Sequence, residues 1–256
     1  MSEIKNNRLN LYDFFGFPDQ KQRDEAKQVF NMDKMRLIPI SDENLWGSDT
    51  YFEQYNTWSH HISNFSSRLG LHFLLMYYQY KQNPLDVIDI RRFQSPGGVH
   101  KIYFDTFAED TSLYLISYFD KHLEMFSDLY SLKQQSARRY NLSRRKIIDE
   151  MQKIDILQNL ANEYRNVEQS KAFIHIKKIR DNFVHNQSSS YFGMNVRMAI
   201  NDRGIEYASY NSTGISTDET YIEMCELIHS YEQLCETVNS FFNARIEEIK
   251  QEELQY

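Results

Sequence analysis

Residues that break helices are scarce in this chain. Only eight glycines and four prolines occur among its 256 residues, and its apolar side chains are mostly leucine, isoleucine, phenylalanine, methionine and tyrosine. This balance argues against a strand-rich sandwich with many tight turns and favours long helices. A chain of this length forms one large domain or two small ones around a substantial core.

Cysteines and long apolar runs are also scarce. The two cysteines, Cys225 and Cys235, fall on one predicted helix about 15 Å apart by helical rise, too far for a disulfide bond. No run of 18 apolar residues occurs, and the N-terminal residues are polar, without the apolar centre of a signal peptide. These absences predict reduced thiols, no membrane association and a cytoplasmic location.

The positions of the apolar residues predict a mainly α protein, an up-and-down bundle of four to five long helices. The long helices are expected over 49–82, 107–136, 143–164, 167–185 and 217–253, with Ser143 and Asn166 as N-caps of the third and fourth. Residues 84–105 are expected to be irregular, with a turn at 95–98. Apolar residues alternate over 192–200 and 205–210, which predicts an inserted β-hairpin near 191–211.

The domain is expected to span 49–253, preceded by an N-terminal arm over 1–48. Within the arm, residues 19–32 favour one short polar helix. Residues 36–40 form an extended piece that Pro39 stops. We find no internal repeat and no low-complexity linker in the sequence.

The fourth long helix carries Arg180, Asp181 and His185 close together. Arg180 can hold a phosphate through a planar, permanently charged fork, and His185 can move a proton near neutral pH. Asp181 stands four residues before His185, so on a helix it can accept a hydrogen bond from one ring nitrogen and fix the tautomer. Such a set can cleave RNA without a metal ion.

The residues around this motif sharpen it: Ile179 precedes Arg180, Phe183 and Val184 are expected to pack inside, and Asn186 follows His185. In this context the motif resembles the signature of the HEPN superfamily, all-α proteins many of which are metal-independent ribonucleases. The resemblance implies an endoribonuclease with RNA as substrate, a homodimer and a role in phage defence or stress response. Its catalytic residues would be Arg180, Asp181 and His185.

The sequence also departs from this family. The toxin branch often has a tyrosine two residues after the histidine, which a partner enzyme can modify. This chain has Gln187 at that position, which argues against control by an antitoxin that modifies the tyrosine. Asp181 stands where asparagine is common, and it adds negative charge beside a phosphate site. The competing hypothesis is a non-catalytic dimeric module that binds a partner protein or a nucleotide through the same cleft.

A helical wheel separates the two main residues of the motif. The sector expected to face the core contains Ala172, Ile176, Ile179 and Phe183, with Arg180 at its edge and half-buried. An ideal helix places His185 about 140° away from Arg180, so one straight chain makes a poor two-residue site. Either the helix unwinds after Asn182, or two chains pair and share a cleft.

The face opposite the core sector favours the paired arrangement. It is expected to expose Lys171, Ile174, Lys178, Asp181 and His185. Ile174 is apolar and has no reason to lie there in a monomer, so we predict a homodimer through the motif helix. Lys178, stacked above His185, is a candidate nucleic-acid contact.

The chain is acidic overall, with a net charge of −7, which argues against non-specific coating of nucleic acid. One stretch, 133–146, nevertheless has six Lys and Arg residues and no acid. Its candidate nucleic-acid contacts are Arg138, Arg139, Tyr140, Arg144 and Arg145. The alternative is a solvated turn between helices whose arginines pair with acids on neighbouring helices.

Metal chemistry finds no support in the sequence. The histidines outside the motif helix, among them His60, His61, His72, His100 and His122, lack the spacing to Cys, Asp or Glu that a metal site requires. No phosphate-binding glycine loop or nucleophile elbow occurs either. The sequence therefore predicts no metal and no cofactor.

Overall fold

The computed structural model describes residues 17–40, 50–86, 96–132, 143–185, 194–200, 206–212 and 216–253. This part of the chain is mainly helical, which confirms the predicted all-α class. Its helices are α1 Gln20–Val29, α2 Thr50–Tyr80, α3 Pro96–Leu129, α4 Arg144–Met151, α5 Gln158–Gln169, α6 Lys171–His185 and α7 Thr217–Glu253. No helix in these ranges combines the length and apolar character that crossing a membrane requires.

Two short strands lie between α6 and α7. Strand β1, Met194–Ile200, pairs antiparallel with β2, Glu206–Ser212, so that Met194 faces Ser212 and Ile200 faces Glu206. The connection between them, residues 201–205, lies outside the described residues.

Helix α3 begins earlier than the sequence indicates. It starts at Pro96, so the irregular segment predicted up to 105 and the turn predicted at 95–98 are wrong for this part of the chain. Proline fits the first position of a helix because its missing N–H has no partner there in any case. The helix ends at Leu129, before the expected 136, and Ser131 follows with a φ of 50°.

The predicted helix over 143–164 is interrupted. Helix α4 ends at Met151, a 3-10 turn occupies Asp155–Leu157, and α5 follows. On one straight helix Met151 and Leu157 would lie about 120° apart, whereas here both side chains are fully buried. The interruption lets both residues reach the core.

The motif helix is shorter than predicted because Asn166 lies inside α5 and does not cap α6. The chain turns at Ser170, whose Oγ accepts a hydrogen bond from the backbone N–H of Phe173 at 3.1 Å. Ser170 therefore caps the N-terminus of α6. Ser143 does occupy the N-cap position of α4, but its side chain makes no capping hydrogen bond.

We expect Ser170→Ala to lower the free energy of unfolding by about 1 kcal/mol, the usual cost of a lost N-cap. Ser143→Ala is the matched control and should leave stability nearly unchanged, since that hydroxyl caps nothing. Urea unfolding of both variants measures the difference. Equal effects of the two substitutions would contradict the capping role of Ser170.

The core is built from aromatic rings on four helices. Phe119 of α3 contacts Tyr164 of α5 and Phe173 of α6, with ring centroids 5.6 and 4.9 Å apart, and Tyr231 of α7 at 6.1 Å. All four side chains are essentially inaccessible to solvent. Phe173 thereby attaches the motif helix directly to the centre of the bundle.

The described part of the N-terminal arm packs into this same core. Met35 and Leu37 are buried, and the Tyr118 hydroxyl donates to the carbonyl of Met35 at 2.7 Å. Asn239 of α7 donates to the carbonyl of Arg36 and accepts from the N–H of Ile38. The arm residues 30–40 therefore contribute to the stability of the bundle.

Candidate functional site

Helix α6 presents the motif from one side of the bundle. Ala172, Ile176 and Ile179 are buried as the wheel predicts, and Phe183 is half-buried. Val184 is 49% exposed, so the expectation that it packs inside is wrong. One position after Phe183 is about 100° further around the helix, which turns Val184 away from the core.

Arg180 lies at the edge between the core and solvent. Its side chain is 19% exposed, which confirms the predicted half-buried position, and its Nη1 donates to Asp181 Oδ1 at 2.7 Å. Its Nε is buried and has no hydrogen-bond partner among the described residues. The guanidinium is thus held by Asp181 at one nitrogen, while its Nε–H is shielded from solvent.

Both carboxylate oxygens of Asp181 are engaged by cations. While Oδ1 binds Arg180, Oδ2 accepts from Lys177 Nζ at 2.6 Å. Burial raises the pKa of Asp181, but the hydrogen bond from Lys177 and the charges of Arg180, Lys177 and Arg144 outweigh it and lower the pKa overall. Asp181 is therefore a carboxylate at neutral pH.

The backbone of α6 remains helical through its last residue, His185. The proposed unwinding after Asn182 is therefore wrong, and the angular separation of about 140° between Arg180 and His185 stands. The side chain of His185 lies outside the described residues. Its hydrogen bond to Asp181 stays a prediction.

A groove of about 710 Å³ runs along the exposed side of α6. Its lining residues are Arg145, Glu168, Gln169, Phe173, Ile174, Lys177, Lys178, Asp181 and Asn182. Three cations and two carboxylates line it, so the groove is locally positive in a chain of net charge −7. This volume lies in the range that small ligands occupy.

The arginines of the basic stretch 133–146 that the structure describes have two different environments. Arg144 is bound to Asp120 of α3 through its Nε and its Nη2, the latter at 2.7 Å, and its guanidinium lies 5.7 Å from the Phe173 ring centre. This follows the alternative interpretation, in which arginines pair with acids on neighbouring helices. Arg145 is exposed and lines the groove. Arg138, Arg139 and Tyr140 lie outside the described residues.

Two contributors escaped the sequence analysis. Lys177 was not singled out, although its spacing of four residues from Asp181 indicates an ion pair on one helix face. Asp120 carries no local signal, because only the packing of α3 against α4 brings it to Arg144. Within the described residues, no group of three His, Cys, Asp or Glu side chains is arranged to hold a metal ion.

The helical bundle and its motif helix match a known family. The family model of HEPN_Cthe2314-like HEPN covers residues 75–245, two thirds of the chain, from the end of α2 into α7. The chain belongs to this family, which confirms the predicted HEPN resemblance. Neither the curated proteins nor the solved structures that were compared gave a match.

Proposed function

We propose that this protein is a metal-independent endoribonuclease of the HEPN type, with a role in phage defence or stress response. The observation that carries the proposal is the half-buried Arg180, whose guanidinium is held in place by the carboxylate of Asp181. It is bonded to Asp181, a residue that lines a locally positive groove. A phosphodiester fits both the charge and the donor geometry of such a guanidinium.

In the proposed reaction His185 takes the proton of a ribose 2′-hydroxyl, and the 2′-oxygen attacks the neighbouring phosphorus. Arg180 stabilises the negative charge that develops on the phosphoryl oxygens. The bond from phosphorus to the 5′-oxygen breaks, and that oxygen takes up a proton. The products are a 2′,3′-cyclic phosphate and a free 5′-hydroxyl end. Lys177, Lys178 and Arg145 would hold the adjoining backbone phosphates.

The site is proposed to form between two chains. Along a continuous helix, one chain directs Arg180 and His185 about 140° apart, so they cannot grip one phosphate together. The outer face of α6 exposes Ile174 by 58% and Val184 by 49%. A two-fold contact between motif helices would bury these apolar residues and bring Arg180 of one chain towards His185 of the other.

The second candidate is the non-catalytic dimeric module. It is favoured by the contacts of Asp181, because its carboxylate already accepts hydrogen bonds from Arg180 and Lys177, the cations that catalysis would need for phosphate. This module would bind a partner protein or a nucleotide in the groove, and Arg180→Ala would release that partner. Wild-type protein that binds but never cleaves RNA would favour this function.

We expect the wild-type protein to cleave single-stranded RNA in the presence of EDTA, and His185→Ala to reduce the rate at least about 100-fold, as loss of a general base does. His229→Ala is the control, because His229 is an exposed histidine on α7. Fragments ending in 2′,3′-cyclic phosphate are the measured product. Cleavage that survives His185→Ala would remove His185 from the mechanism.

A further inference from the structure

The motif helix carries a row of charged residues at intervals of four. Lys177 and Asp181 form one such pair in the structure, with Nζ and Oδ2 at 2.6 Å. Asp181 and His185 have the same spacing on the same continuous helix. Side chains four residues apart are neighbours on a helix surface, so Asp181 can reach a partner one turn before it or one turn after it.

In the described structure Asp181 is committed to the earlier turn. Its two oxygens bind Lys177 and Arg180, the cations that the proposed function assigns to phosphate. A carboxylate and a phosphate compete for the same donors, because both are oxyanions that accept hydrogen bonds from guanidinium and ammonium groups. Inorganic phosphate, which is partly a dianion at pH 7, has a higher mean charge and more acceptor oxygens than the carboxylate. An RNA phosphodiester has one negative charge, as the carboxylate does, and Lys178 and Arg145 would add their attraction for the adjoining backbone phosphates.

We propose that Asp181 is a displaceable internal occupant of the phosphate site, and that a bound phosphate frees its carboxylate to turn from Lys177 towards His185. The inference rests on the proposed function in taking Arg180 as the phosphate-binding group. Binding of phosphate would then orient the imidazole, since the freed carboxylate accepts from one ring N–H and fixes the tautomer. His185 is thereby aligned only when phosphate is present.

Two properties of the site support this exchange. Asp181 is 32% exposed on its side chain and Lys177 is 42% exposed, so water and anions reach the ion pair. Both residues line the groove, where a ligand can approach them from solvent. Ion pairs of this exposure contribute little to stability, so a phosphate can displace them.

The test uses inorganic phosphate and the full-length chain at pH 7. Asp181→Asn should bind phosphate about five- to tenfold more tightly than wild type, because the internal competitor is removed. Glu168→Gln is the matched control: it removes one negative charge from the same groove but belongs to no ion pair with Arg180 or Lys177 among the described residues. Its affinity should rise less than twofold. Titrations followed by NMR give both values.

The same titration reports on His185. Phosphate should shift the imidazole of wild type towards a single tautomer, read from its ¹⁵N chemical shifts, and should not do so in Asp181→Asn. Equal or weaker phosphate binding by Asp181→Asn would overturn the internal occupant. Tighter binding with identical ¹⁵N shifts in both proteins would overturn the transfer to His185. Neither measurement requires RNA cleavage, so failure of the ribonuclease proposal is detected separately.

Discussion

A mixed dimer of one Arg180→Ala chain and one His185→Ala chain should cleave RNA at about half the wild-type rate, although each variant alone is inactive. In a cleft shared by two chains, Arg180 comes from one chain and His185 from the other. The mixed dimer therefore contains one complete site and one site that lacks both residues. Two different affinity tags isolate the mixed dimer for the assay.

The reciprocal mixed dimer is the control. It pairs a wild-type chain with a chain that carries both Arg180→Ala and His185→Ala. A shared cleft leaves neither site complete and predicts no cleavage, whereas sites within single chains predict half the wild-type rate. Activity in this dimer, together with none in the first, would contradict the shared cleft. Light scattering that finds only monomers would do so as well.

The second large effect concerns the buried ion pair near the start of α3. Lys101 Nζ lies 2.7 Å from Asp105 Oδ1, and the two side chains are 1% and 5% exposed. Asp86 lies 3.6 Å from the same ammonium and also accepts from the N–H of Thr217, the first residue of α7. Lys101 thus joins α3 to the start of α7.

We expect Lys101→Met to lower the free energy of unfolding by about 3–5 kcal/mol at pH 7, because it leaves the buried carboxylate of Asp105 without its cation. Lys121→Met is a matched control on the same helix. Lys121 lies at the same 2.7 Å from Glu124, but those side chains are 31% and 40% exposed, so the loss should stay under about 1 kcal/mol. Equal losses in denaturant unfolding would contradict this account.

The destabilisation by Lys101→Met should depend on pH. Burial raises the pKa of Asp105 from its ordinary 3.8 to about 6, while Lys101 acts to lower it. Without Lys101 that pKa rises further, so the folded state binds a proton more tightly than the unfolded state does. Stability then falls as the pH rises from about 4 through the folded pKa. The loss should be smaller at pH 5 than at pH 8.

The helices whose bounds were predicted well are those that the local sequence pattern defines. Helix α7 runs from Thr217 to Glu253 as expected, since its apolar residues repeat at helical spacing. The start of α3 was missed because 95–98 reads as a turn, yet the bundle extends the helix to Pro96. The break between Met151 and Leu157 was missed because apolar residues at steps of three and four continue through 147–160, although six positions place Met151 and Leu157 about 120° apart on a straight helix.

The candidate site likewise has features that the sequence predicts and features that only the structure shows. Arg180, Asp181 and His185 lie within six residues, so their chemistry and their angular separation follow from the sequence and helical geometry alone. The sequence assigned Asp181 to His185, whereas the structure bonds it to Lys177 and Arg180. Spacing permits both partners, and only the positions of the side chains decide between them.

By itself the sequence determined the helical class, the HEPN family and the identity of the motif, because each depends on residue types at short spacing. Tertiary structure decided which charges remain available to a ligand. Arg144 is committed to Asp120, which lies 24 residues earlier in the chain, while Arg145 beside it faces the groove. Residue type does not distinguish the two arginines, which lie about 100° apart around α4. The packing of α4 against α3 and α5 brings Arg144 to Asp120 and leaves Arg145 exposed.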